Sequence, residues 1–341
     1  MESPRATSPS KSATATLMNS WDFDDQPLQT LERFEDAASY HVPVMADEVL
    51  ALLRPAPGLI FLDGTAGGGG HSEKLLQHGA EVVALDQDAD ALEHCAKRLA
   101  PFARRLHLVQ ANFAKAGEAL DGLGLSSIGG ALLDLGVSSH QLDTAGRGFA
   151  MMKDGPLDMR MDRSQPGTAA DLVNTASVAE LARIFREYGE EPRAMHLAAR
   201  LAALREKRPF ATTFDLAAAV TSVIPRSGPR HPATRVFQAL RIAVNDELGA
   251  LERGLDAIGS RLAHGARFAV ISFHSLEDRI VKNVFRDRSV EWIDRPEWPE
   301  PRRNPDRIFR LLTPRPMDAS GEEVESNPRA RSAKLRVVER L

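Results

Sequence analysis

The sequence predicts an α/β protein whose doubly wound, parallel sheet is interrupted by an inserted all-helical block. Three observations lead to this prediction. Short apolar runs alternate with helical stretches from residue 59 onwards, and a glycine-rich turn follows the first run. The alternation then stops for about a hundred residues of helical periodicity before another apolar run appears. Alternating strands and helices are typical of parallel strands joined by right-handed crossovers.

Five short apolar runs are predicted to be buried strands of this sheet. They lie at Leu59–Asp63, Val82–Asp86, Leu106–Val109, Ala131–Leu135 and Phe268–Phe273. Helices are expected at Ser72–His78, Asp88–Leu99 and Leu276–Phe285, and closing strands at Ile308–Leu312 and Leu335–Val338. The polar residues 314–328 between the closing strands are predicted to form a loop.

The helical block divides the chain into predicted domains. Residues 39–144 and 253–341 are expected to form the sheet domain, and residues 145–252 the insert. One helical spacing runs through the end of the insert, at Val236, Leu240, Val244, Leu248 and Leu251. Residues 1–38 are rich in Ser, Thr, Asp and Glu with little apolar periodicity, which predicts a disordered tail.

Composition limits the classes of function. The chain has 341 residues, 43% of them hydrophobic, and Cys95 is its only cysteine. No apolar run approaches the roughly 20 residues that span a bilayer. We therefore expect a cytosolic protein without disulfides, a thiolate metal cluster or any other metal site. The net charge is -4, yet nine basic residues face only two acids between Arg193 and Arg241. This excess favours a polyanionic partner, with an ordinary solvated face as the alternative.

A glycine-rich turn is the most informative segment. The strand ending at Asp63 runs into Gly64–Gly70, and a helix is expected to begin near Ser72. Glycines allow the backbone to approach a ligand closely, and a helix N-terminus offers free N–H groups. The next strand ends at Asp86, where a carboxylate typically accepts hydrogen bonds from ribose hydroxyls. The pattern predicts a nucleoside-bearing cofactor, with a simple tight turn as the alternative.

Two further strand ends carry suitable side chains. Phe113 follows the third strand, where it can flank an adenine ring, and Asp134 ends the fourth. Ligands of open α/β sheets bind across these carboxyl ends. The acid-Gly-x-x-Gly pattern at Asp63 is closer to methyltransferases than to the dehydrogenase fingerprint. Since a sulfonium cofactor has an amino-acid tail, Asp63 is expected to accept a hydrogen bond from its ammonium. Methyl transfer is therefore favoured over nicotinamide-dependent hydride transfer.

Several longer motifs occur in order from about residue 41 to the C-terminus. They are HVPVM at His41, DGTAGGGGHS at Asp63, DLGVSS at Asp134, RGF at Arg147, DGPLDMRMD at Asp154, TRVFQALRIAVN at Thr234, SFHSLEDR at Ser272 and NPRARSAKLR at Asn327. Together these segments resemble one family, the MraW family of ribosomal RNA small-subunit methyltransferases.

The resemblance implies a Rossmann-like class I methyltransferase domain that uses S-adenosylmethionine to methylate N4 of a cytidine in the decoding region of bacterial small-subunit rRNA. The expected partner is that rRNA or the assembling small subunit, without a membrane, and the oligomeric state stays open. The insert is then expected to recognise RNA. Carried over by position, the cofactor contacts are Gly69, Gly70, His71, Asp86, Phe113, Asp134 and Gln141.

The target amine must be oriented and must donate hydrogen bonds to an acceptor as it pyramidalises. Asp134 and Ser138 are the candidate acceptors. His274 is a candidate base, or else part of a helix entry with Ser275 as N-cap and Asp278 as its partner. Residues 154–162 are interpreted as a substrate loop, with a rigid turn as the alternative. A non-catalytic ribosome-assembly factor that retains the cofactor pocket is the alternative function.

Overall fold

The computed structural model describes residues 43–226, 228 and 231–341, so the predicted tail at 1–38 lies outside the described residues. The helices are α1 (Ala46–Leu53), α2 (Gly70–Gln77), α3 (Ala89–Arg98), α4 (Ala116–Gly122), α5 (Ser139–Asp143), α6 (Ala169–Thr175), α7 (Val178–Glu187), α8 (Ala194–Arg205), α9 (Thr213–Val223), α10 (Thr234–Asn245), α11 (Glu247–Gly259), α12 (Ser275–Asp287) and α13 (Gly321–Ser326). The strands are β1 (Ile60–Asp63), β2 (Glu81–Asp86), β3 (Leu106–Gln110), β4 (Ile128–Asp134), β5 (Leu262–Ser272), β6 (Trp292–Ile293), β7 (Arg302–Arg303), β8 (Phe309–Leu311), β9 (Met317–Asp318) and β10 (Lys334–Arg340).

The main sheet has eight strands in the order β3-β2-β1-β4-β5-β10-β8, with β9 paired to β10. The five predicted strands are confirmed as β1 to β5, and they run parallel. β10 closes the sheet antiparallel to β5. Because β1 lies between β2 and β4, the chain reverses its winding direction there. The carboxyl ends of β1, β2 and β4 consequently meet at a topological switch point, the usual ligand site of such sheets.

Side chains of successive strand residues point to opposite faces of the sheet, and each face has its own hydrophobic cluster. Phe61 and Val82 belong to one cluster, while Leu62 and Val83 belong to the other. Helices cover both faces, so the doubly wound architecture is confirmed.

The helical block has a separate cluster of its own, which extends from Phe149 to Leu240. The single helical spacing expected through residue 251 is divided, because Asp246 takes left-handed backbone (φ 48°) between α10 and α11. Leu251 and Leu255 of α11 pack in a sheet cluster instead. The helical core therefore ends near residue 245, before the predicted boundary at 252.

The predicted loop at 314–328 was wrong in part, since it contains β9 and α13. Ser320 caps α13 by accepting a hydrogen bond from the Glu323 backbone N–H at 3.1 Å. A helix of six residues shows too little apolar periodicity to be recognised in a polar sequence. Within the described part of the chain, no helix has both the length and the apolar character that crossing a membrane requires.

Candidate functional site

A cavity of about 460 Å³ opens at the carboxyl ends of β1, β2 and β4. One side is formed by the glycine turn and the residues that follow these strands. The opposite side is formed by the α10–α11 junction, the start of α12 and a short 3-10 segment near the C-terminus. Of the nine predicted site residues, the walls include Gly70, His71, Asp86, Phe113, Asp134, Ser138 and Gln141.

Asp63 lies behind the glycine turn and is not part of the cavity wall. Its side chain is 1% exposed. One carboxylate oxygen accepts a hydrogen bond from the Thr65 backbone N–H at 3.1 Å, and the other from Ser72 Oγ at 2.7 Å. Burial raises the pKa of Asp63 above its usual range. This carboxylate therefore holds the turn against α2, and the geometry does not support the expected contact with a cofactor ammonium.

The glycines of the turn have different positions. Gly69 adopts φ 78° as the N-cap of α2, and a Cβ there would lie 3.0 Å from Cys95 Sγ, so Gly69 packs away from the cavity. Gly70 lines the wall, and a Cβ on it would approach Pro43 to 3.1 Å. Of this predicted pair, only Gly70 lies in the cavity wall.

Asp86 ends β2 with its carboxylate at the cavity. Its Oδ2 accepts a hydrogen bond from the Gly67 backbone N–H at 2.8 Å, and Oδ1 accepts one from the Asp88 N–H at 2.9 Å. Burial raises the pKa of Asp86 to about 6. Each oxygen keeps a second lone pair, so the carboxylate is oriented by the backbone and still able to accept from a ligand hydroxyl.

Phe113 follows β3 and lies between the cavity and α11. A Cβ placed on Gly254 would come within 2.4 Å of its ring, so the ring rests directly on the backbone of α11. Asn112, which the sequence reasoning did not single out, also lines the cavity and donates to Gln87 Oε1 at 3.0 Å. An aromatic face and amide groups are thus placed beside Asp86.

Asp134 and His71 form the polar centre of the wall. Asp134 Oδ2 lies 3.5 Å from His71 Nε2. Within the described ranges, Asp134 Oδ1 and His71 Nε2 are buried without a hydrogen-bond partner. Native proteins pair nearly all buried polar atoms, and the exceptions need an explanation. Two such atoms on one cavity wall are what a site for a polar ligand requires.

The side chains of Ser138 and Gln141 both make hydrogen bonds within the protein. Ser138 is the N-cap of α5, and its Oγ accepts a hydrogen bond from the Gln141 backbone N–H at 3.2 Å. The Gln141 side-chain amide donates to Asp88 Oδ2 at 2.8 Å. Arg147 donates to the same oxygen at 2.6 Å, and both Arg147 and Asp88 are buried. Asp134 therefore remains the better placed of the two predicted acceptors.

The opposite wall carries four ionisable residues, of which Glu247 and Glu277 were not singled out from the sequence. Arg241 makes two hydrogen bonds of 2.8 Å to Glu247, and His274 Nε2 lies 3.2 Å from Glu277 Oε1. Burial acts to raise the pKa of Glu277, but His274 and Arg241 hold it below its usual range. Ligand atoms of Glu247, His274 and Glu277 lie within 4.8 Å of one another, a spacing that suits a metal ion. Arg241 already supplies positive charge there.

The predicted helix entry is wrong in its residues. His274 itself is the N-cap of α12, with Glu277 as the capping-box partner, instead of Ser275 with Asp278. Imidazole Nδ1 accepts from the Glu277 backbone N–H at 3.4 Å, a role that the preference for Ser, Thr, Asp and Asn at N-caps did not suggest.

Residues 154–162 are packed and not free. Leu157 and Met159 are buried in the helical cluster, and Met161 lines the cavity.

The basic residues of the insert differ in their surroundings. Arg205 donates to the Val173 carbonyl at 2.8 Å, Arg241 lies in the cavity wall, and Arg230 lies outside the described residues.

Comparison with known proteins identifies the family. The model of the MraW methylase family matches residues 38–341. The chain belongs to this family. The ribosomal RNA small subunit methyltransferase H of Anaeromyxobacter dehalogenans is 51% identical over 304 residues, covering 88% of this chain and 98% of that protein. That of Carboxydothermus hydrogenoformans is 48% identical over 304 residues, with the same coverage of both chains.

Among solved structures, an rRNA methylase from Streptococcus thermophilus resembles this MraW-family protein with a TM-score of 0.38 and 13% identity, covering 87% of this chain and 93% of that one. A Streptococcus mutans protein in complex with SAH gives a TM-score of 0.39 and 13% identity, with 92% and 100% coverage. Membership of a methylase family makes the hydride-transfer alternative wrong.

The cofactor of this MraW-family protein is S-adenosylmethionine. The cavity fits it in chemical terms. Asp86 offers a carboxylate for the ribose hydroxyls, and Phe113 an aromatic face for the adenine. His71 Nε2, which is buried without a hydrogen-bond partner among the described residues, suits the carboxylate of the amino-acid tail. Gln141 completes the wall beside them.

Proposed function

We propose that this protein methylates N4 of a cytidine in the decoding region of bacterial small-subunit ribosomal RNA, in the cytoplasm. The relatives named above are small-subunit rRNA methyltransferases, which supports the substrate class. The observation that carries the proposal is the cavity itself. It combines a nucleoside-type wall at the strand ends with a polar wall built by α10, α11 and α12. Such a cavity offers room for a second, polar substrate opposite the cofactor.

The chemistry asks for an acceptor near the target amine. The exocyclic amine of cytosine is a poor nucleophile because its lone pair is conjugated with the ring. When bound, the cofactor supplies an electrophilic methyl group on a sulfonium. As the N–C bond forms, the methyl–sulfur bond breaks with its electrons left on sulfur, and the amine gains positive charge until it releases one proton to water. Asp134 Oδ1 is buried, unpartnered among the described residues and anionic when ionised, so it can accept a hydrogen bond from the amine and stabilise that charge.

Asp134→Asn tests this role, because the amide keeps the shape and removes the charge. We expect single-turnover methylation of small ribosomal subunits to fall by about 10²-fold or more, even at saturating cofactor and RNA. Asp287→Asn, which makes the same change in an exposed surface pair with Arg286 outside the cavity wall, serves as the control and should keep a near-normal rate. A full rate for the asparagine variant at saturation would reduce Asp134 to a binding residue.

The product identifies the reaction. Mass spectrometry of nucleosides from small-subunit rRNA should find N4-methylated cytidine in the decoding region only in cells that carry this protein. Binding of small subunits without any turnover of the cofactor would favour a non-catalytic assembly factor instead.

We further propose that the helical block, predicted as residues 145–252, recognises the RNA. Arg193, Arg200 and Lys207 are exposed, are spaced by seven residues and have no side-chain partner in the part of the chain described. Replacing all three with alanine should weaken RNA binding and lower the slope of log affinity against log salt by about two, since each phosphate contact contributes roughly 0.7–0.9. Cofactor affinity should not change. A parallel loss of both affinities would mean that these residues are structural.

A further inference from the structure

A segment near the C-terminus, residues 320–333, forms one rim of the cavity, and we call it the C-terminal strap. It contains most of the NPRARSAKLR motif, which has no role in the cofactor contacts or in the helical block described above. The strap is anchored at several points. Glu323 Oε1 accepts a hydrogen bond from the Met45 backbone N–H at 2.6 Å, and Ala330 and Ala333 are 0% and 2% exposed. Its backbone is therefore held firmly against the sheet domain.

The strap presents two arginines to the cavity, and they differ in their partners. Arg329 donates to Ser139 Oγ and lies 3.4 Å from Asp143 Oδ2, so it ties the strap to α5. Arg331 also lines the cavity but is exposed. In residues 43–226, 228 and 231–341, its guanidinium has no hydrogen-bond or ion-pair partner. Arg331 therefore places a guanidinium without an ion-pair partner, among the described residues, on an anchored backbone at the cavity mouth.

An unpaired guanidinium at this position selects for anions. The planar group binds two oxygens of a phosphate or carboxylate at once, which an ammonium cannot do. Two anions are available at this cavity under the proposed function: the carboxylate of the cofactor and the phosphates of the RNA. The cofactor side is supplied by the glycine turn and the strand ends, where α2 offers its N-terminal N–H groups and, among the described residues, His71 Nε2 has no hydrogen-bond partner. An exposed rim residue is better placed for the polyanion that covers the mouth.

We infer that Arg331 binds a backbone phosphate next to the nucleotide whose base enters the cavity. The inference rests on the proposed function, since it requires RNA as the substrate. The strap then positions the RNA backbone at the rim, while the walls of the cavity recognise the base. Arg331 acts as a positioning residue, because a phosphate fixed at the mouth limits how the target nucleotide can enter.

The test measures binding of the full-length protein to small ribosomal subunits from cells that lack it, over a range of salt concentrations. Arg331→Ala should weaken binding about ten-fold, as expected for loss of a charge-assisted contact. It should also lower the salt slope by about 0.7–0.9. Arg331→Lys should restore the slope but only part of the affinity, because it keeps the charge and loses the planar fork. Arg315→Ala is the matched control, since Arg315 is exposed but lies outside the cavity wall.

The outcomes distinguish failure of the Arg331 inference from failure of the proposed function. If Arg331→Ala binds subunits as tightly as Arg315→Ala does, the inference is overturned. The same holds if Arg331→Ala lowers the affinity for S-adenosylmethionine, measured by calorimetry, and leaves subunit binding intact, since Arg331 would then hold the cofactor carboxylate. If the wild-type protein binds no small subunits, the proposed function fails, and this inference with it.

Discussion

Replacing Arg147 with methionine tests how the cofactor side of the cavity is joined to the helical block. Arg147 is 3% exposed, and its guanidinium donates to Asp88 at 2.6 Å. It also donates to the backbone carbonyls of Arg160 and Met161, at 3.1 Å and 3.0 Å. One side chain therefore connects the start of α3 to the packed segment that ends at the cavity. Methionine keeps most of the volume and removes the charge, these three hydrogen bonds and a longer one of 3.5 Å to Asp90.

The expected cost follows from burial. Removing one partner of a buried ion pair leaves an uncompensated charge and typically costs about 3–5 kcal/mol. We expect the free energy of unfolding to fall by that amount in Arg147→Met. Lys97→Met is the matched control, because the Lys97–Glu93 pair has the same 2.6 Å separation but side chains that are 73% and 68% exposed. Solvent screens an exposed pair, so Lys97→Met should be nearly neutral, and the difference between the two variants reports the buried contacts of Arg147.

Urea denaturation followed by circular dichroism measures both costs, and a double-mutant cycle isolates the pair. Asp88→Asn should also destabilise the protein. The double variant should lose about 2 kcal/mol less unfolding free energy than the sum of the two single variants, because with both charges removed no charge is left buried alone. A cost for Arg147→Met within about 1 kcal/mol of Lys97→Met, or strict additivity in the cycle, would refute the reasoning.

Two further predictions concern the cofactor wall. Burial raises the pKa of Asp86 from 3.8 to about 6, so ionisation of this carboxyl destabilises the protein without its cofactor. The stability contributed by the protonated carboxyl is fully present below about pH 4 and is lost as the pH rises through 6. In its proposed role as acceptor for the ribose hydroxyls, Asp86 must be ionised, so calorimetry should show cofactor affinity falling below about pH 6 in the wild type. Asp86→Asn should show an affinity about ten-fold lower at neutral pH and no such pH dependence; a flat wild-type profile would contradict the assignment. Gly254→Ala should displace the Phe113 ring and destabilise the protein by about 1–3 kcal/mol with weaker cofactor binding. Gly122→Ala, where an added Cβ meets nothing within 4 Å, should be nearly neutral, and equal effects of the two substitutions would count against the packing argument.

Local sequence patterns were sufficient for the sheet and for most of one cavity wall. Apolar runs bounded by turns located all five parallel strands, because a buried strand is a short, contiguous pattern. Asp86, Phe113 and Asp134 follow directly from those strands, since side chains at adjacent carboxyl ends must meet at one edge. The family motifs added His71 and Gln141, which no spacing rule identifies.

Tertiary contacts decided which polar groups face the cavity. Asp63 and Asp86 both end buried strands, and of the two only Asp86 lines the wall, because the Asp63 carboxylate lies behind the glycine turn and is buried against Ser72 of α2. The opposite wall joins Arg241 and Glu277 to residues more than a hundred positions earlier in the chain. The break at Asp246 was likewise invisible in the helical spacing. Periodicity reports which face of an element is apolar, whereas the partner of each polar side chain depends on contacts between distant elements, and that only the folded chain determines.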